Sequence, residues 1–264
     1  MKKILHFIFV SLIFAEVYAQ IPKNTEIVEL KEVNLYYEEY GEGEPLILLH
    51  GWTQSSQFWA DYIEEYARSY NVYAIDLRGH GKSSPLTKNF SIEKAANDIS
   101  ALLDYLDLKN VKSIGLSYGG LTLLQLASLD PKRLASMVLI GTSHNYSGQD
   151  NKTLSEQFRF ENLPAAFIED LKKIHFQDED KIKAMFDPTL NYEIKLTEES
   201  LKRINIKTLI IHGDNDELLG INAAFELHKN LPISNLWIVP DKGHIPIDNT
   251  NKTEFLRITN EFFR

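Results

Sequence analysis

The sequence contains no cysteine among its 264 residues. This absence excludes disulfide bonds, thiolate nucleophiles, iron–sulfur clusters and zinc sites built from cysteine. It does not exclude that the protein resides in an oxidising compartment, because a chain of this length can bury a core large enough to fold without disulfides. Internal repeats and low-complexity tracts are also absent, so a solenoid or a disordered chain is not indicated.

Basic residues are the scarcer charged class. There are 28 Lys and Arg against 37 Asp and Glu, which gives a formal net charge of −9. An acidic surface repels phosphate backbones, which argues against a nucleic-acid partner. Hydrophobic residues make up 44% and charged residues 25%, as in ordinary globular proteins. We therefore expect a globular protein with a small-molecule partner, and no pattern predicts its oligomeric state.

The N-terminus has the pattern of a secretory signal peptide. Lys2 and Lys3 precede an apolar run over residues 4–14, and Val17 and Ala19 are small or neutral. This run is shorter than the about 20 apolar residues that a membrane span needs, and no later segment is apolar enough to span a bilayer. We predict cleavage after Ala19 and an exported protein, periplasmic or secreted, that starts at Gln20. The alternatives are a first core helix or a retained anchor.

The remaining chain, residues 20–264, is predicted to be one domain in which strands alternate with helices. A half-exposed antiparallel pair over 25–40 comes first, followed by buried strands without polar alternation. Such alternation predicts an α/β fold with a mostly parallel sheet and helices on both faces. The predicted strands are 46–49, 72–75, 111–115, 136–140, 207–211 and 235–239, and the predicted helices are 57–68, 91–107, 117–128 and 251–263.

A segment over about 144–203 interrupts this alternation. It lacks a clear buried strand, looks helical over 151–160, 164–175 and 179–186, and contains five phenylalanines, which are too many for a solvated insert. We interpret it as a short helical lid over one end of the sheet. The alternative is a helical elaboration that does not contact substrate.

The strongest chemical signal is the motif Gly115-Leu116-Ser117-Tyr118-Gly119-Gly120. It follows a predicted strand and opens a predicted helix. A serine at such a tight turn is lifted above the sheet edge, and the glycines avoid clashes in the crowded backbone. The helix N-terminus adds free N–H groups that suit an oxyanion. The motif therefore predicts Ser117 as a nucleophile.

A serine nucleophile needs a histidine base, and that histidine needs an acid to orient it. Four histidines fall at or just after predicted strands, where open α/β sheets place their sites; they are His50, His80, His212 and His244. Among them His244 lies in a loop, which lets its ring swing over the sheet edge. Asp216 is the predicted acid, with Asp214 as the alternative. None of these groups has the spacing of a metal site, so we predict no metal.

The sequence resembles the α/β-hydrolase family over nearly all of residues 25–264. The resemblance rests on five motifs in the family's order, which are His50-Gly51-Trp52, Asp76 to Ser83, Gly115 to Gly120, Gly213 to Asp216, and Gly243-His244. It implies Ser117 as nucleophile, Asp216 as acid and His244 as base. It also implies an oxyanion hole from the backbone N–H groups of Trp52 and Tyr118, and no cofactor.

Within this family, the serine nucleophile is unlike the aspartate of epoxide hydrolases and haloalkane dehalogenases. The short lid and the motif around Ser117 are similar to esterases, enol-lactonases and cofactor-free haloperoxidases. The export signal favours an esterase, so we expect a serine hydrolase acting on small or apolar carboxylic esters. Lactone or C–C hydrolysis, haloperoxidase activity and a non-catalytic ligand-binding role remain alternatives.

Two further features have open interpretations. The polar loop from Asp76 to Ser83 is predicted to be structural, with Asp76 and Arg78 satisfying nearby backbone. Trp52, Phe58 and Trp59 could line an acyl pocket, or the last two could simply belong to the core.

Overall fold

A computed structural model describes residues 21–147, 159–176, 178–190 and 192–264. The predicted signal peptide and most of the predicted helix over 151–160 lie outside the described residues. None of the described helices is both long enough and apolar enough to cross a membrane.

The protein is built on an eight-stranded sheet. Its first two strands are antiparallel, β1 to β2 and β2 to β4, and all later pairings are parallel. The order across the sheet is β1-β2-β4-β3-β5-β6-β9-β10, with the remaining strands β7 and β8 paired separately. The strands are β1 Asn24–Glu29, β2 Asn34–Tyr40, β3 Glu44–Leu49, β4 Tyr70–Asp76, β5 Val111–Leu116, β6 Leu134–Ile140, β7 Asn145–Tyr146, β8 Ile194–Lys195, β9 Lys207–Gly213 and β10 Ser234–Val239.

Helices connect the parallel strands. Ser91 caps the second helix by accepting a hydrogen bond from the amide of Lys94, and acidic Glu93 in the first turn complements the helix dipole. The helices are α1 Ala60–Ala67, α2 Ile92–Tyr105, α3 Tyr118–Leu129, α4 Ala165–Ile174, α5 Glu179–Met185, α6 Glu198–Lys202, α7 Asn222–Asn230 and α8 Lys252–Phe263. The predicted α/β architecture with a mostly parallel central sheet is confirmed.

Two apolar cores lie against the sheet, and most residues of its central strands are buried. One contains residues of α2 and α3, including Leu102 and Leu124. The other contains residues of α1 and α8, including Tyr62 and Phe255. Burial on both faces explains why the central strands lack polar alternation.

The segment between β6 and β9 carries α4, α5 and α6, together with the short antiparallel pair of β7 and β8. This ribbon was not anticipated, because two residues are too few to show a strand pattern. Buried side chains of the segment, such as Leu171, Ile182 and Met185, join the same core as α2 and α3. We call residues 144–203 the lid; its described part is packed onto the main domain.

Candidate active site

Ser117 lies at the sharp turn between β5 and α3. Its backbone has φ +48, which is a strained conformation for a residue with a Cβ atom. The neighbouring backbone leaves no room for side chains, since a Cβ atom on Gly119 would lie 2.4 Å from the carbonyl oxygen of Leu49. The amide of Gly119 donates to the carbonyl oxygen of His50 at 3.0 Å, which ties this turn to the loop after β3. The turn therefore holds the serine hydroxyl above the sheet edge.

The structure brings Ser117, His244 and Asp216 into one hydrogen-bonded line. The hydroxyl of Ser117 lies 2.8 Å from Nε2 of His244. On the other side of the ring, Nδ1 lies 2.9 Å from Oδ2 of Asp216. With the proton on Nδ1, the imidazole donates to the carboxylate and its Nε2 can accept the serine proton.

Asp216 is held by its own loop after β9. Its Oδ1 accepts hydrogen bonds from the amides of Leu218 at 2.9 Å and Leu219 at 3.0 Å. Burial alone raises the pKa of this carboxyl, but hydrogen bonding and attraction from His244 and the amide of Leu219 outweigh it, so the net pKa lies below the usual value. The carboxyl is therefore ionised and able to stabilise a protonated His244.

The alternative acid, Asp214, points elsewhere. Its side chain is exposed, and its Oδ1 accepts from the amide of Lys242 at 3.3 Å and from the side chain of Asn215 at 3.1 Å. It stabilises the loop that carries His244 rather than the imidazole itself. Of the two candidates that the sequence left open, only the carboxylate of Asp216 lies within hydrogen-bonding distance of the His244 ring.

His212 is an additional neighbour of the carboxylate that sequence reasoning did not place there. Its Nε2 lies 3.1 Å from Oδ2 of Asp216 and 3.1 Å from the carbonyl oxygen of Gly220. Both partners are acceptors, so Nε2 carries the hydrogen. Burial, with a smaller contribution from His244, lowers the pKa of His212 despite the carboxylate. His212 is therefore a neutral donor to Asp216, and the strand position alone did not reveal this.

The amides implied as an oxyanion hole flank the serine. Tyr118 is the first residue of α3, where backbone N–H groups have no partner within the helix. Trp52 follows β3, the strand directly beside β5, with Leu49 opposite Gly115. Neither amide donates to any described residue. Both N–H groups are thus available at the edge of the sheet where Ser117 lies.

Aromatic side chains cover this edge. The indole of Trp52 meets the ring of Tyr192 from the lid at 4.3 Å between centroids, and the ring of Tyr118 at 5.2 Å. Phe58 and Trp59, by contrast, belong to the core around α1 and α8. Of the three aromatic residues considered for an acyl pocket, Trp52 is the one that packs against a ring in the described part of the lid.

The loop from Asp76 to Ser83 is structural, as predicted. Asp76 accepts from the amides of Ser56 at 2.6 Å and Lys82 at 2.8 Å. Arg78 satisfies backbone as expected, since it donates to the carbonyl oxygen of Glu32 at 3.3 Å. It also forms a two-point ion pair with the carboxylate of Asp98 on α2, with both distances 2.6 Å. This loop fixes the position of His80 beneath the site.

Three buried histidines beside the site are neutral. Burial lowers the pKa of His50 to about 4 and of His175 to about 3, and it lowers the pKa of His80 well below its usual value. Sequence reasoning found no partner for His175, yet its ring joins two loops of the main domain. No group of three or more potential metal ligands occurs in the part of the chain that the structure describes.

Comparisons with known proteins show the family and the fold. A sequence model described as alpha/beta hydrolase fold matches residues 44–179, just over half of the chain. The chain is 26% identical to the non-heme chloroperoxidase CPO-A1 of Kitasatospora aureofaciens, covering 87% of this chain and 96% of that protein. It is 24% identical to a pimeloyl-[acyl-carrier protein] methyl ester esterase of Nitrosomonas europaea, covering 81% and 93% respectively.

A solved structure shows the same fold. The carboxylesterase CesB of Bacillus subtilis superposes with a TM-score of 0.74 at 20% identity, over 91% of each chain. Together with the family match, this confirms the resemblance stated from the sequence motifs. The chain is an enzyme that belongs to the alpha/beta hydrolase fold family.

Proposed function

We propose that this protein is a serine hydrolase that cleaves carboxylic esters through an acyl-enzyme intermediate. The observation that carries the proposal is the unbroken hydrogen-bonded line from the Ser117 hydroxyl through His244 to Asp216, with distances of 2.8 and 2.9 Å. A serine hydroxyl is a weak nucleophile alone, and this line supplies both the base and the group that orients it.

Acylation begins when Oγ of Ser117 attacks the ester carbonyl while Nε2 of His244 takes its proton. The imidazolium that forms is stabilised by the carboxylate of Asp216. His244 then donates the proton to the leaving alcohol as the C–O bond breaks, which leaves the acyl group on Ser117. Water repeats the sequence on the acyl-enzyme and releases the acid. These steps use only side chains and water, so no cofactor or metal is required.

Charge develops on the carbonyl oxygen at both tetrahedral intermediates. The free amides of Tyr118 and Trp52 are the groups we assign to this oxyanion. A preorganised donor of this kind contributes about 10²–10³ in rate, because it needs no reorganisation when the charge appears. The N-terminus of α3 adds a favourable dipole at the same position.

The aromatic rings of Trp52 and Tyr192 favour a small or apolar substrate group next to Ser117. The similarity to a methyl ester esterase supports an ester with a small alcohol. A panel of 4-nitrophenyl esters of increasing acyl length would define this preference. We expect kcat/KM to fall for long or charged acyl groups.

The direct test is fluorophosphonate labelling. The reagent should phosphonylate Ser117 in the wild-type protein, with peptide mass spectrometry locating the adduct. Ser117→Ala should lose both labelling and ester hydrolysis while it retains its circular dichroism spectrum. Ester hydrolysis above a few per cent of wild type in Ser117→Ala would refute the nucleophile assignment.

A second activity is favoured by the similarity to a non-heme chloroperoxidase. Hydrogen peroxide in place of water would attack the acyl-enzyme and release a peroxy acid, which then oxidises halide. Halogenation that requires peroxide, a short carboxylic acid and Ser117 would establish it. Halogenation that persists in Ser117→Ala would exclude this route.

We also propose that the protein is exported and cleaved after Ala19. The support is the charged start and the apolar run of residues 4–14 in the sequence. Intact-mass analysis of protein from the native cell should give a chain that starts at Gln20. A mass that includes Met1, in a membrane pellet, would instead indicate an uncleaved anchor.

A further inference from the structure

The loop after β3 contains a strained turn directly beside the proposed oxyanion site. The amide of Gln54 donates to the carbonyl oxygen of Gly51 at 3.2 Å, which closes a four-residue turn. Within it Thr53 has φ +67, the left-handed region that a β-branched residue rarely adopts. Such a conformation persists only when surrounding contacts hold it, and it is common at functional sites.

Two buried histidines hold Thr53 from opposite sides. Its amide donates to Nε2 of His80 at 3.1 Å. Its carbonyl oxygen accepts from Nε2 of His175 at 3.2 Å. The contacts thus engage both peptide groups of Thr53, and the first of these groups joins it to Trp52.

Each histidine is itself anchored through its other ring nitrogen. Nδ1 of His80 donates to the carbonyl oxygen of Arg78 at 3.0 Å, and Nδ1 of His175 accepts from the amide of Gly81 at 2.9 Å. Lys181 of α5 donates to the carbonyl oxygen of Gly81 at 2.9 Å. Both rings are fully buried, so their orientation and tautomer are determined by these contacts.

We propose that His80 and His175 are positioning residues that aim the Trp52 amide at the oxyanion by holding Thr53 in its strained turn. This inference rests on the proposed function, since it concerns the same site. His175 directly follows α4 in the lid, whereas Trp52 belongs to the main domain. The lid thereby contributes to transition-state stabilisation through His175, which does not itself touch the reacting atoms.

The physical reason is preorganisation. An amide stabilises the oxyanion only if it already points there, and a turn held against strain relaxes when one contact is lost. Complete loss of an oxyanion donor costs about 10²–10³ in rate. Loss of one histidine contact, which loosens the donor without removing it, should cost about tenfold in kcat, within that bound.

Two conservative substitutions at His175 separate positioning from packing. In His175→Gln the amide nitrogen can replace Nε2 and keep the donor to Thr53. In His175→Asn the side-chain oxygen can replace Nδ1 and keep only the acceptor for Gly81. Each variant loses one buried hydrogen bond, so both should lower the melting temperature to a similar degree. Only His175→Asn should lose about tenfold in kcat, with KM changed less than about threefold.

The affinity for a trifluoromethyl ketone provides a second measurement, which should not change if His175 only contributes to packing. Its adduct with Ser117 places an oxyanion in the hole, so its affinity should fall with kcat across the variants. Thr53→Gly in the His175→Asn background should recover part of kcat, because glycine adopts φ +67 without strain. The Gln and Asn substitutions at exposed His228 on α7 are the matched controls.

The outcomes are distinct. Equal kcat for His175→Gln and His175→Asn, with ketone affinity unchanged, would overturn this inference and leave ester hydrolysis standing. If the wild-type protein neither hydrolyses esters nor binds the ketone at Ser117, the proposed function and this inference both fall. If His175→Asn does not fold, His80→Gln and His80→Asn provide the test instead. Glutamine at position 80 keeps the acceptor for the Thr53 amide, whereas asparagine does not, so only His80→Asn should lose kcat.

Discussion

The histidines near Ser117 form two groups with opposite surroundings. In the first, which we call the carboxylate group, two rings face one ionised side chain; it consists of His212, His244 and Asp216. In the second, the backbone group, the rings are held by amides and carbonyl oxygens alone; it consists of His50, His80 and His175. The two groups lie on either side of the serine turn.

This difference in partners decides what each ring can do. Protonation of His244 creates a positive charge that Asp216 stabilises at 2.9 Å. Protonation of a ring in the backbone group places a positive charge in a buried site and removes the acceptor that a backbone amide requires. The carboxylate group can therefore carry protons during a reaction, while the backbone group can only hold loops in place.

The largest expected effect is loss of the base in the carboxylate group. Glutamine in His244→Gln cannot take the serine proton, so kcat should fall by about 10⁴–10⁶. Steady-state hydrolysis of a 4-nitrophenyl ester measures this loss of kcat. The same substitution in the backbone group, His175→Gln, is the matched comparison and should retain most activity. Similar losses at the two positions would erase the distinction between the groups.

The next effect concerns the acid. Asp216→Asn should lower kcat by about 10²–10⁴, because an amide favours the wrong tautomer of His244. Asp214→Asn, two residues away in the same loop, should stay within a few-fold of wild type, since Asp214 contacts Lys242 and Asn215 instead. If Asp214→Asn lost more kcat than Asp216→Asn, the catalytic acid would be Asp214.

A smaller effect is expected at His212, which donates to the same carboxylate. His212→Leu removes a donor to a charged acceptor, an interaction worth about 1.5–3 kcal/mol. Part of this lost free energy should appear in catalysis, as a roughly tenfold lower kcat/KM. A hydrogen-bond donor lowers the pKa of a carboxylate, so loss of the His212 donor should raise the pKa of Asp216 and move the acidic limb of the pH profile to higher pH.

His212→Gln, which keeps a donor near the position of Nε2, is the control for that substitution. It should restore the wild-type pH profile even if stability is reduced. Identical pH profiles for His212→Leu and wild type would mean that His212 only fills space.

The smallest effect is a change in acid stability from the backbone group. Burial lowers the pKa of His50 to about 4, whereas an unfolded histidine titrates near about 6.5. Its stabilising contribution is complete above pH about 6.5 and is lost progressively as the pH falls toward about 4, because the unfolded chain binds the proton first. In His50→Gln, urea unfolding midpoints should be lower at pH 7 but depend less steeply on pH in that window.

His228→Gln, at an exposed position, is the control for losing one histidine. Parallel pH dependence in His50→Gln and wild type would show that His50 does not contribute to acid sensitivity.

Much of the fold could be predicted because its signals are local. The central strands, such as β5, are buried on both faces, so each reads as an apolar run, and α2 shows its buried face every three to four residues. The β7–β8 ribbon could not be predicted, because each strand has only two residues. The two strands form only when chain segments that are far apart in the sequence meet. The sequence also left open whether Phe58 and Trp59 line an acyl pocket or belong to the core, because both places require an apolar side chain.

The residues of the candidate site likewise divide into those that local sequence could predict and those that it could not. Ser117, Asp216 and His244 each follow a strand in a recognisable local setting, and the shared sheet edge brings them together. His175 has no such setting, because its partners Gly81 and Thr53 lie 94 and 122 residues away in sequence. Periodicity and motifs report local burial and turn geometry, and they carry no information about such distant contacts.

The sequence by itself determined the alternation of strands and helices, the serine turn with its glycines, and the residue types available for a nucleophile, a base and an acid. These follow from burial and backbone sterics over a few residues. Only the tertiary structure placed Asp216 rather than Asp214 beside the His244 ring, placed His212 on the same carboxylate, and set His80 and His175 against Thr53. Those outcomes depend on where loops from separate strands and the lid meet, which is determined by packing of the whole domain.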